Sequence, residues 1–362
     1  MKDNNILCWY GNDPFEAGKN LMASSGVWKN WSPTDHIGLK PNLVVSKKAS
    51  SGATTHPEFC AGIINFLQEK GFQKISILEG SWVGDRTERA FKVCGFTDIS
   101  QKYSVPLVDL QLDSSVLCEG SHGEYRICRS ILELDRLINI PVLKGHCQTA
   151  MTCALKNLKG CIPDSEKQRY HRDGLYQPIA DLNEILRSDL ILVDALEGDP
   201  EFEEGGNPFI RNLFMAALDP VLLDCYACSL LGLQISDVPY IEKAALLGVG
   251  SSALSTDTLQ ALNKGEGLGN LQNSSLVGTL SRHIDEKGAC SACFAALTQA
   301  LKQLQEEGFP LPETVRIGQG FEGNPTNATN GPGVGDCLSE CSSFVPGCPP
   351  EAYEIVQFLK TR

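Results

Sequence analysis

Cysteines crowd the end of this chain. The stretch Gly333–Pro350, "GVGDCLSECSSFVPGCPP", holds three of them, and Cys290 and Cys293 precede it in "GACSACFAALTQALKQL". Thiolates are ligands for both zinc and iron–sulfur clusters. The Cys-Pro step, the long separation between the two groups and the lack of histidine between Cys290 and Cys348 favour a cluster. Structural zinc and unrelated buried thiols stay as alternatives.

Four of these five cysteines are the predicted metal ligands. A Cys-x-x-Cys that opens a helix places two thiolates where backbone amides and the helix dipole stabilise negative charge. Cys341 has no comparable context and is held in reserve. The predicted ligands of a 4Fe–4S cluster are therefore Cys290, Cys293, Cys337 and Cys348.

Composition indicates the cellular compartment in which this chemistry would take place. The chain has 15 cysteines, an odd number, and its start shows no basic segment followed by an apolar one. We therefore expect a cytoplasmic protein with reduced thiols and no signal peptide. No apolar run approaches the roughly 18 residues that a membrane span needs. The net charge of −13 argues against nucleic acid as a partner, because phosphate neutralisation needs basic surface.

A second set of residues suits acid–base chemistry. In Asn139–Asp164, an apolar strand ends in Lys144 and His146, and a helix then carries Lys156. These three are the predicted catalytic residues, since ligands bind at the carboxyl ends of parallel strands. Several cations in one cleft suit a small anionic substrate. The alternatives are solvated lysines and a structural histidine. The residues predicted to bind that substrate are Lys40, Asn42, Asn157, His171 and Asp194.

The elements that must position these residues alternate between strand-like and helix-like patterns. "NLVVS", "KISILEG", "RLINIPVL" and "DLILVDAL" are predicted strands, and "PEFCAGIINFLQEKG" is a predicted helix. Such alternation predicts an α/β fold with a mostly parallel sheet flanked by helices. Composition shifts near Ser251 to a polar, glycine-rich stretch. We predict a substrate-binding α/β domain over residues 1–255 and a smaller α/β iron–sulfur module over 256–362.

Six stretches carry a family resemblance. "KPNLV", "LEGSW", "NIPVLKGH", "CALKNLKG", "ILVDALEG" and "ALDPVLLD" occur in that order between about Lys40 and Gly250, and together they resemble the family called domain of unknown function 362, DUF362. Gly145 stands where threonine is usual. The resemblance implies an iron–sulfur protein of anaerobic type, because many members carry such a module, and it implies no particular reaction. Separately, "VPGCPP" is similar to the end of the cluster-binding segment in hydrogenase small subunits and the related subunit of respiratory complex I.

Three functions follow from these patterns. The favoured one is an iron–sulfur oxidoreductase, or a reductase component, which passes electrons to or from a partner while the cleft binds a small anion. The second is a redox-neutral lyase, dehydratase or isomerase, in which one iron acts as a Lewis acid. The third is a noncatalytic electron carrier or a zinc-stapled binding protein.

Overall fold

The computed structural model describes residues 1–255, 257–265, 280–323 and 331–361. The chain folds into two compact units. The N-terminal unit comprises the described residues of Met1–Glu166 and Tyr176–Asn273, and the C-terminal unit comprises Lys167–Leu175 and the described residues from Leu280 onward. The segment Lys167–Leu175 thus groups with the C-terminal residues although it lies within the predicted first domain. The functional division at residue 255 stays a prediction.

The N-terminal unit is built on an eight-stranded sheet. Its strands stand in the order β12-β1-β11-β10-β7-β2-β3-β4. In chain order, the strands up to residue 265 are β1 Ile6–Tyr10, β2 Ile37–Pro41, β3 Ile75–Glu79, β4 Leu107–Asp109, β5 Ser115–Gly120, β6 Gly123–Cys128, β7 Arg136–Ile140, β8 Lys144–His146, β9 Ala150–Thr152, β10 Leu190–Gly198, β11 Phe209–Ala217 and β12 Leu259–Ala261.

All neighbouring strands of this sheet are parallel except where β11 is involved. Strand β11 runs antiparallel to both β10 and β1, whereas β10, β7, β2, β3 and β4 form a parallel run. The predicted α/β class with a mostly parallel sheet is confirmed. Strands β5 and β6 form a separate hairpin, as the turn sequence "GSHG" predicts, and β8 and β9 form another.

Helices alternate with these strands along the chain, and one of them, Asp164–Asp173, extends into the segment Lys167–Leu175 of the C-terminal unit. They are α1 Pro14–Ser25, α2 Pro57–Glu69, α3 Thr87–Val93, α4 Phe96–Tyr103, α5 Arg129–Leu132, α6 Ala154–Asn157, α7 Asp164–Asp173, α8 Tyr176–Ile185, α9 Pro220–Leu230 and α10 Pro239–Leu246. Proline at the first turn starts α2 and α9, where its missing N–H has no helical partner to lose. Asp219 caps α9 by accepting hydrogen bonds from the amides of Val221 and Leu222. The buried faces of α1 and α2 pack together with β2, β3, β7 and β10 in one apolar core.

One predicted strand is wrong. The apolar run Asn42–Ser46 is irregular, and the strand lies just before it, over Ile37–Pro41. Every residue of that strand is buried, and Gly38 lies where a Cβ would overlap Leu134. A strand that contains glycine and proline has a weak sequence signal, because both residues are depleted in strands.

The C-terminal unit has its own small sheet. Strands β13 Ile284–Glu286, β14 Val315–Ile317, β15 Gly333–Val334 and β16 Phe344–Val345 are parallel and adjacent in that order. Helices α11 Ser291–Glu306 and α12 Ala352–Lys360 accompany them. An α/β architecture of the described C-terminal residues agrees with the prediction for this part of the chain.

Candidate functional site

A buried ion pair lies where strands β2 and β3 end. Lys40 Nζ is 2.6 Å from Glu79 Oε1, and both side chains are almost fully buried. Lys40 also donates to Pro41 O at 2.8 Å. The other carboxylate oxygen of Glu79 accepts from the amide of Leu43 at 2.7 Å. These contacts give both charges hydrogen-bonding partners, which a buried pair needs.

Three asparagines extend this pair into a network. Asn157 on α6 donates to Lys40 O at 3.1 Å and to Asn139 Oδ1 at 2.8 Å. Asn42 donates to Asn157 Oδ1 at 2.9 Å, and Asn139 donates to Ala154 O at 2.9 Å. We call Lys40, Asn42, Glu79, Asn139 and Asn157 the Lys40 network. It ties the carboxyl ends of β2, β3 and β7 to α6.

Next to this network, three predicted catalytic residues meet around one carboxylate. His146 Nε2 lies 2.6 Å from Glu203 Oε2, and Lys156 Nζ lies 3.5 Å from the same oxygen. Lys144 Nζ donates to the backbone oxygen of Glu203 at 2.8 Å. We call Lys144, His146, Lys156 and Glu203 the Glu203 cluster. All four are at least nine-tenths buried.

The local fold explains how the cations reach Glu203. Strand β8 carries Lys144 and His146, and its partner β9 leads directly into α6 with Lys156. The Asp224 carboxylate accepts from the amides of Ala154 and Leu155, at 2.8 and 3.1 Å, and so fixes the start of this short helix.

The three cations of the cluster are not equally engaged. Lys144 donates to Asn42 Oδ1 at 3.1 Å, to Ala53 O and to Glu203 O. Its three N–H bonds therefore all meet protein acceptors, and it acts as a structural cation that joins the cluster to the Lys40 network. Lys156 has only longer contacts, to Thr152 Oγ1 at 3.3 Å and to Glu203. Of these cations, Lys156 is the better placed to meet a ligand.

Burial controls the protonation of this cluster. Burial lowers the pKa of Lys144 to about 7 even though Glu203 opposes the shift. It lowers the pKa of His146 to about 4, so the ring is neutral at pH 7, and it also lowers the pKa of Lys156. Burial alone would raise the pKa of Glu203, but His146 and Lys156 hold it well below its usual range.

The tautomer of His146 follows from its neighbours. Nδ1 accepts from the amides of Gln148 and Thr149, at 3.1 and 3.2 Å. In the neutral ring the proton must then sit on Nε2, the nitrogen that faces Glu203 at ion-pair distance, although without hydrogen-bond alignment. Glu203 Oε1 is buried with no hydrogen-bond partner. The cluster thus presents one carboxylate oxygen close to His146 and Lys156, and a second oxygen that has no hydrogen-bond partner.

The loop that carries Glu203 depends on Gly145. The amide of Gly145 donates to Asp199 O at 2.7 Å, and a Cβ at this position would overlap Pro200 O. The Asp199 carboxylate accepts from the amides of Glu201, Phe202 and Asn207. Glycine here lets the loop approach β8 closely, so a threonine could not be accommodated without a shift of the loop.

Asp194, a predicted substrate ligand, pairs with a histidine. Its Oδ2 accepts from the amide of His56 and pairs with His56 Nδ1, both at 2.8 Å. Glu197 Oε1 lies 3.2 Å from His56 Nε2. Burial lowers the pKa of His56, but Asp194 and Glu197 outweigh it and raise the pKa to about 9. Asp194 therefore anchors an imidazolium at the start of α2.

In the C-terminal unit, three of the predicted cysteine ligands act electrostatically on the fourth, Cys293. After burial, the charges of Cys290, Cys348 and Cys337 are the main causes that raise the pKa of the Cys293 thiol. Burial, Glu322, Cys290 and Cys348 raise the pKa of Cys337 to about 11. Thiols perturb each other in this way only at short range. Among the described residues, no three His, Cys, Asp or Glu side chains stand as a ready-made group for one metal ion.

Cys341 is buried and packs with Phe321 and Leu338, and the partly buried Cys337 packs against the same small cluster. Burial raises the pKa of Cys341 and Arg316 lowers it by less, so no thiol is among the causes of its shift, in contrast to Cys293. His171, a predicted substrate ligand, also belongs to the C-terminal unit, where its Nε2 lies 3.4 Å from Ser291 Oγ. A pocket that joins His171 or the cysteines to the Glu203 cluster stays a prediction.

The family model for the domain of unknown function DUF362 matches residues 37–229, more than half of the chain. The chain belongs to this family. The match contains the Lys40 network and the Glu203 cluster, whereas all five C-terminal cysteines lie outside it. The similarity of "VPGCPP" to hydrogenase segments stays a prediction.

Two further proteins are similar to this DUF362 member. A thylakoid-associated protein of Synechocystis sp. is 26% identical over 259 residues, which make up 66% of this chain and 78% of that protein. The lactate racemase apoprotein from Thermoanaerobacterium thermosaccharolyticum has a similar structure at a TM-score of 0.41 and 13% identity, over 69% of this chain. This chain spans 58% of the length of that structure.

Sequence reasoning missed three side chains of the DUF362 region. Glu79 and His56 partner the predicted Lys40 and Asp194, and Glu203 is the centre of the predicted catalytic set. The only signal for Glu203 is its place in the glycine-rich "EFEEGG" loop after β10. Separately, none of the helices in the described ranges has the length and apolar character to traverse a bilayer.

Proposed function

We propose that this DUF362 protein is an iron–sulfur protein, a cytoplasmic oxidoreductase or reductase component that acts on a small anionic molecule. Cys290, Cys293, Cys337 and Cys348 would hold a 4Fe–4S cluster, and the Glu203 cluster would bind the anion and move a proton. The observation that supports the proposal is that Cys290, Cys337 and Cys348, from three separate segments, all act on the pKa of Cys293, whereas no thiol is among the causes that shift the pKa of Cys341.

The surroundings of the thiols fit a cluster. Cys290 is the N-cap of the 16-residue helix α11, where backbone amides favour thiolates. Gln319 Nε2 donates to Cys290 Sγ at 3.7 Å, and hydrogen bonds to ligand sulfurs tune cluster potentials. A Cβ at Gly335 would stand at an ordinary contact distance of 3.7 Å from Cys293 Sγ, so the backbone of this loop runs beside the sulfur.

The number of thiols favours electron transfer over Lewis-acid chemistry. When bound, a 4Fe–4S cluster accepts and donates single electrons. Four cysteine ligands satisfy all four irons, whereas a Lewis-acid role needs one iron without a protein ligand. Cys341 is the more buried of the two neighbouring cysteines, and no thiol is among the causes of its pKa shift, so Cys337 is the better candidate for the fourth ligand. An electron-transfer partner is therefore part of the proposal.

The Glu203 cluster supplies the acid–base half of the proposal. Lys156 has long contacts to its protein partners and is the cation that an anionic group would meet. Glu203 is held ionised, and its Oε1 has no partner, so it can accept a proton. His146 Nε2 lies 2.6 Å from the other carboxylate oxygen. Lys144 and the Lys40 network keep these groups in place.

A redox-neutral proton-transfer reaction is the second candidate. The specific observation in its favour is the buried Glu203 carboxylate, which has Oε2 beside Lys156 and Oε1 without a hydrogen-bond partner. This arrangement suits proton abstraction next to a carboxylate group of the substrate. In that case the cysteines would serve another step or hold the fold together.

Iron and acid-labile sulfide analysis of anaerobically purified protein, with electron paramagnetic resonance of the reduced sample, tests the proposal. We expect close to four irons and four sulfides per chain and a signal from a reduced cluster. One zinc per chain without sulfide would instead support the zinc-stapled alternative. Protein free of both metals after anaerobic purification and attempted reconstitution would refute the cluster.

A further inference from the structure

Arg211 on β11 is the buried cation that the proposed function leaves unexplained. Only 2% of its surface is exposed. Its Nε and Nη2 atoms are buried without a hydrogen-bond partner, and Nη1 reaches only Phe209 O, at 3.5 Å. Burial is the one cause that moves its pKa, which it lowers to about 10. A buried guanidinium without a compensating acceptor is unfavourable unless a ligand completes it.

The two nitrogens without a hydrogen-bond partner indicate the chemical class of that ligand. Nε–H and one N–H of Nη2 are parallel and form one edge of the planar guanidinium. This edge matches two oxygens of a single carboxylate or phosphate group. The Phe209 ring lies 4.9 Å from the guanidinium carbon and covers part of its face. The edge formed by Nε and Nη2 is therefore the one that would bind the ligand.

The backbone around Arg211 is irregular at this point. The pairing of β10 with β11 shifts register between Ala195 and Glu197, directly opposite the segment that holds Arg211. The next residue, Asn212, adopts a left-handed conformation with a φ of 51°. Bulges and left-handed non-glycine residues re-aim side chains and cluster at functional sites. Arg211 also lies near the carboxyl end of β10, the edge at which open α/β sheets bind ligands.

We propose that Arg211 is the anchor of a second anion site, which binds a carboxylate or phosphate group through Nε and Nη2. None of the residues in this site belongs to the Glu203 cluster, so the inference goes beyond the proposed function. Two anion-binding points on one sheet edge suit either a ligand with two anionic groups or two separate ligands.

The test is the melting temperature of the full chain in increasing acetate or inorganic phosphate, at constant ionic strength set by sodium chloride. We expect a concentration-dependent rise in the wild type with at least one of the two anions, because a ligand that binds only the folded state stabilises it. The anion that gives the larger rise in melting temperature shows whether the site prefers a carboxylate or a phosphate group. No rise with either anion would overturn the site.

Variants assign the rise to Arg211. Arg211→Met should remove it, and Arg211→Lys, which keeps a charge but loses the paired edge, should weaken the apparent affinity at least tenfold. Arg86→Met removes an exposed arginine and should keep the rise. If Arg211→Met does not fold, equal affinity in Arg211→Lys and the wild type overturns the proposal. A rise that disappears in Lys156→Met but persists in Arg211→Met would assign anion binding to the Glu203 cluster and also overturn it.

Discussion

The Lys40 network and the Glu203 cluster are neighbouring groups of buried cations and carboxylates, and they differ in how completely the protein satisfies them. In the network, each side-chain nitrogen and oxygen has a partner within 3.1 Å. In the cluster, Lys156 has only contacts of 3.3 Å and longer, and Glu203 Oε1 has no partner. A saturated network rigidifies a fold, whereas a group with unused capacity is suited to a ligand.

The largest effect on stability should come from a substitution in the Lys40 network. Lys40→Met leaves Glu79 buried without its cation, and we expect it to lower the free energy of unfolding by about 3–5 kcal/mol. Urea denaturation followed by circular dichroism measures the change. A loss below about 1 kcal/mol would mean that the network does not hold the sheet edge together.

His56 extends the comparison to a histidine whose two ring nitrogens both face carboxylates. Its folded pKa of about 9 exceeds the value near 6.5 of an unfolded chain. The pair therefore stabilises fully below about pH 6.5, and this contribution, about 3 kcal/mol, is lost as the pH rises through about 9. Stability between pH 6 and 10 should fall more steeply in the wild type than in His56→Gln. Parallel pH profiles for the two proteins would contradict the assignment, and His122→Gln is the control.

Gly160, beside the Lys40 network, and Gly145, beside the loop that carries Glu203, allow a matched comparison of the two regions. A Cβ at Gly160 would overlap Glu79 Oε1 and stand 2.6 Å from Lys40 Nζ, and one at Gly145 would overlap Pro200 O. We expect each change to alanine to cost about 1–3 kcal/mol of stability. Gly160→Ala should destabilise the protein more than Gly145→Ala. Its added methyl group overlaps a fully packed ion pair, whereas the loop next to Gly145 can shift. The reverse order in thermal denaturation would show that the loop is the more rigid element.

The smallest effect on stability should come from Lys156. Its contacts are long, its pKa is already lowered by burial, and methionine fills a similar volume. We expect Lys156→Met to lower the free energy of unfolding by only about 1 kcal/mol, because His146 and Lys144 still act on the buried Glu203 carboxylate. A loss comparable to that of Lys40→Met would place Lys156 among the structural cations and remove it from the proposed ligand site.

How far the sequence predicted these regions depended on the distance between partners along the chain. Lys144, His146 and Lys156 follow one strand within a dozen residues, so strand ends and helix spacing were enough to group them. Glu203 comes from an irregular loop whose path depends on Asp199 and on its close approach to Gly145. Such long-range packing leaves no periodic signal. The strand Ile37–Pro41 was missed for a related reason, because its glycine is explained only by the contact with Leu134.

The C-terminal unit shows a related contrast between two neighbouring cysteines. The charges of Cys290 and Cys348 act on the pKa values of both Cys293 and Cys337, whereas Cys341, only four residues after Cys337, has no thiol among the causes of its shift. Sequence spacing could propose this division, but only the folded chain separates the two neighbours.

The visible absorption of anaerobically purified Cys337→Ala and Cys341→Ala tests the central claim most directly, because the two substitutions are chemically identical and four residues apart. We expect Cys337→Ala to lose most of the charge-transfer absorption and the bound iron, as a cluster loses stability without one of its four thiolates. Cys341→Ala should keep both at the wild-type level. Loss in Cys341→Ala with retention in Cys337→Ala would contradict the ligand set, and an unchanged spectrum in both variants would contradict a cluster held by these cysteines.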